Sequence, residues 1–148
     1  MYPFLLSTHN ILRWVVVLVG VLAIVRALIG LFGKRPFTSL DNRLSLIFTI
    51  SMDVQVLLGL LLYGIFSPLT TGAFADFGAA MGESELRFWL VEHISVMLVA
   101  LGLAHVGRSR AKKAATDQAK HKQIAIFFTL AFLAVLLATP WDRPFLRF

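Results

Sequence analysis

Cysteine is absent from the 148 residues, and charge is scarce, at 15% of the chain. The first absence excludes disulfides, iron–sulfur clusters and thiolate chemistry. The second excludes an ordinary soluble domain, in which about 25% of residues are charged. Also missing are a glycine-rich phosphate loop, a Cys/His spacing for zinc, and a Ser/His/Asp order suited to nucleophilic catalysis. There is no internal repeat or low-complexity tract. No basic n-region or small-residue cleavage site marks a signal peptide, so the first apolar segment is expected to direct insertion itself.

What is present is apolar: 58% of residues are hydrophobic, gathered into four long runs. About 20 such residues suffice to cross a bilayer. The predicted spans are 3–33, 44–66, 86–108 and 123–139. They imply a single all-α domain, an integral membrane four-helix bundle with up-down-up-down topology. Pro3 suits the opening turn of the first helix, and Lys34, Arg35 and Pro36 close it. Ser39, Asp41 and Asn42 are candidate caps for the second helix. Pro68 stops that helix, an acidic, Gly- and Ala-rich loop follows, and Ser84 is a candidate cap for the third. The basic, Ala-rich link after Arg108 extends the third helix before the chain turns.

The +6 net charge arises from Lys and Arg beside the span ends, a positive-inside pattern rather than a nucleic-acid surface. Nine of these residues (Lys34, Arg35, Arg43, Arg108, Arg110, Lys112, Lys113, Lys120, Lys122) fall in the first and third connections. Three (Arg87, Arg143, Arg147) fall in the second connection and the tail, which puts both termini outside. Trp14, Tyr63, Trp89 and Trp141 then lie toward the outer side as an aromatic belt.

Ionisable groups within spans are costly and persist where something pairs with them or uses them. In the first helix His9, Arg13, Val16, Gly20, Ala23, Ala27 and Gly30 recur at helical spacing on one face; in the third, His93, Met97, Ala100, Ala104 and Gly107 do the same. Such faces suit close helix packing, and equally leave room for a flat cofactor. Aligning the helices on Arg26 and Arg108 brings His9 and His93 level to within about 3 Å, whereas aligning on Trp14 and Trp89 separates them by about 13 Å. On the first alignment the two imidazoles can serve as axial ligands of one haem iron. Arg13 and Arg87 are then candidates to neutralise its propionates, and Glu92 to pair with Arg13, accept a proton or orient a ligand. His105 and His121 are weaker metal candidates flanking the basic link, where solvation or lipid headgroups also account for them. Asp53 is expected to pair with Arg26, carry a proton, or orient a ligand near the cofactor, and Gln55 to hydrogen-bond across helices.

These residues resemble a family of small bacterial four-helix membrane proteins labelled cytochrome b. The resemblance covers nearly the whole chain. It rests on His9-Asn10-Ile11-Leu12-Arg13-Trp14, on Asp53 through Leu60, on Arg87-Phe88-Trp89 with Glu92-His93, on Gly107-Arg108-Ser109, and on Pro140-Trp141. It implies b-type haem with His9 and His93 as ligands, and electron transfer in a bacterial cytoplasmic membrane. One haem is expected, with a second and a bound quinone as further candidates. Similar proteins sometimes carry a histidine in helix two ahead of the Gln55 position, where this chain has Asp53 and Val54. The expected partners are lipid, a quinone or cytochrome, a larger respiratory complex and a second copy of the chain. An electron carrier is expected rather than a stand-alone enzyme. The alternatives are a cofactor-free accessory subunit of a membrane redox complex, and a small proton-coupled transporter using Asp53 and Glu92.

Overall fold

The computed structural model describes residues 1–141, which are helical nearly throughout and contain no strand. The elements are α1 (Tyr2–Phe32), α2 (Ser39–Leu61), a π-helical turn (Leu62–Phe66), α3 (Pro68–Ala73), a 3₁₀ turn (Phe74–Asp76), α4 (Phe77–Gly82), α5 (Ser84–Arg87), a second π-helical turn (Phe88–Glu92), α6 (His93–Lys113) and α7 (Asp117–Ala138). Four helical stretches, Tyr2–Phe32, Ser39–Phe66, Ser84–Lys113 and Asp117–Ala138, are long and apolar enough to cross a membrane. Arg143 and Arg147, used in the charge count, lie outside the described residues.

The second, third and fourth helices exceed the predicted spans because apolarity marks what a bilayer covers, while caps and backbone bonds set where a helix ends. The cap of α2 is Thr38 rather than Ser39 or Asn42, and Asp41 reaches back to it. The Asp41 carboxylate accepts from the Thr38 backbone N–H at 2.8 Å and from its hydroxyl at 2.6 Å. Thr116 accepts from the Ala119 N–H to start α7. Ser84 does not cap the third span; its N-cap position is Glu83.

Packing follows the predicted faces. The buried residues of α1 are Arg13, Val16, Gly20, Ala23, Ala27 and Gly30, and those of α6 are Ala100, Ala104, Gly107 and Ala111. Each of α1 and α6 packs on both α2 and α7. The core centres on Phe48 and Phe128, whose rings lie 4.7 Å apart. Small residues are needed there: a Cβ on Gly20 would meet the Phe48 and Phe132 rings at 2.9 Å.

One end of the bundle is closed by basic side chains that meet acceptors on neighbouring helices and turns. Arg26 donates to Asp41 at 2.8 Å, not to Asp53 as expected, because Asp41 is one turn inside the neighbouring helix. Arg108 donates to the Asn42 carbonyl at 3.2 Å and to Ser45 Oγ at 2.6 Å. Arg110 donates to Gln123, and Lys120 to Asp117. At the other end the predicted loop is the chain of short helices α3–α5. Pro68 sits in the first turn of α3, and Asp76 caps α4 by accepting from the Ala79 N–H at 3.0 Å.

Candidate cofactor cavity

The end built by the start of α1, the end of α2, the start of α6 and the end of α7 holds a partly open cavity of about 150 Å³. Its walls are mostly apolar, including Val16, Met52, Val56, Ile94, Met97 and Val135, and short-helix residues Leu69 and Thr70 lie across it. Both π-helical turns occur here, where the helices must widen. Tyr63 in the first turn donates its hydroxyl to the Leu90 carbonyl in the second at 2.9 Å. Thr70 in turn donates to the Tyr63 carbonyl at 2.7 Å, so hydroxyls match two backbone acceptors in the widened turns, one bond joining the two turns and the other tying α3 to the first.

His9 and His93 both line this cavity. His93 Nδ1 lies 2.7 Å from the Ala138 carbonyl oxygen. A carbonyl only accepts, so Nδ1 carries the proton, and in the neutral ring Nε2 keeps its lone pair. Metal-ligating histidines are commonly oriented by such a bond from the other ring nitrogen. The Phe88 and Trp89 rings brace the imidazole, with centroids 5.7 and 5.3 Å away. His9 is held by Gln55, whose amide nitrogen lies 3.0 Å from the His9 carbonyl oxygen and 3.2 Å from His9 Nε2. The amide thus donates to both, and the ring proton sits on Nδ1. Gly59 makes room for this ring, since a Cβ there would lie 3.3 Å from His9 Cε1.

The cavity concentrates unmet polar atoms. Among the described residues four buried side-chain atoms have no hydrogen-bond partner: His9 Nδ1, Arg13 Nε, Gln55 Oε1 and His121 Nδ1. The first three belong to cavity-lining residues. Buried polar atoms are nearly always satisfied by protein, water or ligand, so this cluster marks where a polar group from outside the chain belongs. Arg13 also places its guanidinium 5.5 Å from the centre of the Trp14 ring.

The other predicted site residues lie elsewhere. Arg87 and Glu92 pair with each other at 3.0 Å on the exposed surface, and neither lines the cavity. Glu92 therefore does not partner Arg13: the π-helical turn carries it away while His93 turns inward. Asp53 pairs with His105 at 2.7 Å on the outside of the bundle, not with Arg26 and not at the cavity. His121 is neither solvated nor at the surface. It is 1% exposed, packed on Gly30 and with its ring centre 5.0 Å from that of Phe37. Among the described residues no group of three or more His, Cys, Asp or Glu is gathered to hold a metal ion.

No known protein family, curated protein or solved structure matches this chain. The residues that complete the site beyond the predicted pair are Gln55, Gly59, Tyr63, Thr70 and the Ala138 carbonyl. Gln55 was legible as an interhelical hydrogen-bond donor. The carbonyl was not, because backbone acceptors at helix ends carry no sequence signature.

Proposed function

We propose that the chain is a membrane b-type cytochrome in a bacterial cytoplasmic membrane, its four helices running up-down-up-down with both termini outside and the cavity toward the outer face. The observation that carries this reading is that His9 and His93, from the first and third spans, line one cavity together with Arg13. Two imidazoles from helices across the bundle would hold a haem iron, which needs no third protein ligand.

The donor set fits such a group. His93, fixed through Ala138, offers a free Nε2 lone pair. His9 offers Nε2 once the Gln55 amide leaves it, and the second Gln55 bond, to the His9 carbonyl, still holds the two helices together. Arg13 Nε is a buried N–H without an acceptor, suited to a propionate. A porphyrin exceeds the roughly 150 Å³ that holds a benzene-sized ring, so it would use the open mouth as well. When bound, haem supplies one-electron chemistry, while the apolar walls limit water and the histidines set its potential. Redox exchange would be with a quinone or a partner cytochrome.

The test is a reduced-minus-oxidised absorption spectrum of the purified protein. The expected result is a b-type band that is lost or shifted to a high-spin form in His93→Ala. A flat spectrum after expression with ample haem refutes the reading. A quinone head is the second reading, because a single six-membered ring suits the enclosed volume and Arg13 Nε and His9 Nδ1 are donors for its carbonyls. A flat spectrum with quinone retained on purification selects it. The proton-transport reading has less support, since neither Asp53 nor Glu92 lines the cavity.

A further inference from the structure

Asp53 and His105 make the one ion pair between α2 and α6 among the described residues, with His105 Nε2 at 2.7 Å from Asp53 Oδ1. It faces outward: the side chains are 45% and 53% exposed. Asp53 follows Arg43 by ten residues, roughly 15 Å along α2, and His105 precedes Arg108 by three, roughly 5 Å along α6, so the pair lies inside the basic end of the bundle. A half-exposed ionisable pair at that depth would face lipid, where such groups are rarely left. Something polar therefore covers it in the membrane.

We propose that the cover is a second copy of this chain, docked through a two-fold axis along the α2–α6 seam. The pair is self-complementary. When an imidazole carries both protons it has two N–H donors, and a carboxylate has two acceptor oxygens. The pairing within one chain uses one of each, leaving His105 Nδ1 and Asp53 Oδ2 with no partner among the described residues. A two-fold axis places each free donor against the other copy's free acceptor and closes a ring of four charge-assisted bonds. That is the defining property of an isologous interface. The surroundings suit close approach. Ile50, Asp53 and Leu57 on α2 and Leu98, Gly102 and His105 on α6 form two exposed rows, spaced by three and four residues, that meet at the pair. Gly102 is exposed, and a Cβ there would meet nothing within 4 Å. It lets another helix backbone come near without losing any contact inside the chain. This inference is independent of the haem reading.

Because the chain has no cysteine, an introduced one is the only thiol present. The experiment is oxidative cross-linking in native membranes of full-length Gly102→Cys, with Leu18→Cys, on an exposed position of α1, as the control. A product of twice the 16.5 kDa chain, at least tenfold stronger for Gly102→Cys than for Leu18→Cys, is expected. Adding His105→Ala should reduce it severalfold, and the exchange Asp53→His with His105→Asp should restore it, because the ring of bonds survives the swap. Equal cross-linking at both positions, or adducts of other masses, overturns the proposal. So does failure of the exchange to restore the product when that variant reaches the membrane at normal levels. Gly102→Cys alone leaves the pair intact, so poor folding of the pair variants does not decide the outcome.

Discussion

Replacing Arg13 by methionine should make the ligand-free protein more stable while weakening whatever the cavity binds. Arg13 is 9% exposed, and its Nε has no hydrogen-bond partner among the described residues. Leaving a buried donor unmet costs about 1–3 kcal/mol, and more for a charged group. Against this stands the contact with the Trp14 ring at 5.5 Å, worth about 0.5–2 kcal/mol. Methionine keeps an unbranched apolar stem of similar reach and removes the donor. The net expectation is a gain on the order of 1 kcal/mol, or about fivefold in the unfolding equilibrium. The assay is denaturant unfolding of the detergent-solubilised, cofactor-free protein followed by tryptophan fluorescence. Haem titration of the same preparations should show affinity falling at least tenfold in Arg13→Met. A loss of 1 kcal/mol or more in the free protein would mean that Arg13 is a structural residue, and the inference from its unmet Nε would fail. Such a trade of stability for function is the usual mark of a binding residue.

Gly30→Val should destabilise by about 1–3 kcal/mol or more, because its Cβ would run into the buried His121 ring; His121→Ala should relieve much of that loss in a double-mutant cycle. Tyr63→Phe should leave the Leu90 carbonyl without its hydroxyl donor, costing about 1 kcal/mol. Faster amide exchange confined to residues 67–92 would report it, and uniform exchange across all four long helices would contradict a local tie.

The helix faces were legible, and most of the ion-pair partners across them were not. The spacing of Val16, Gly20, Ala23, Ala27 and Gly30 announces a face that must approach something closely, because small residues at helical period have few other uses in an apolar segment. Which side chains meet across helices depends on azimuth and register, and a single sequence encodes neither directly. Arg26 could be read as reaching Asp53, yet Asp41 sits one turn into α2 at the height where α1 ends, and the shorter reach wins. Asp53 meets His105 instead because α6 shares that side of α2. The short helices α3–α5 were hidden for a different reason. Their segments are short and weakly periodic, and they are held by capping and hydroxyl-to-carbonyl bonds rather than by an apolar stripe.

The two ends of the bundle differ in how their polar groups are met, with His121 Nδ1 the one buried unmet side-chain atom away from the cavity among the described residues. At the basic end Arg26 finds Asp41, Arg108 finds Ser45, Arg110 finds Gln123 and Lys120 finds Asp117, so charges close the helix ends. The cavity end contains fewer charges but leaves His9 Nδ1, Arg13 Nε and Gln55 Oε1 without partners around one space. Apolar residues occupy the same face one turn further along α1, so packing alone does not require His9 and Arg13 there. Leaving these atoms unmet, with π-helical turns widening both neighbouring spans, carries a stability cost that the Arg13–Trp14 contact and the Gln55 bonds to His9 offset only in part. A bound group that supplies the missing acceptors and donors would offset it. The apolar walls would then strengthen those bonds by keeping water out.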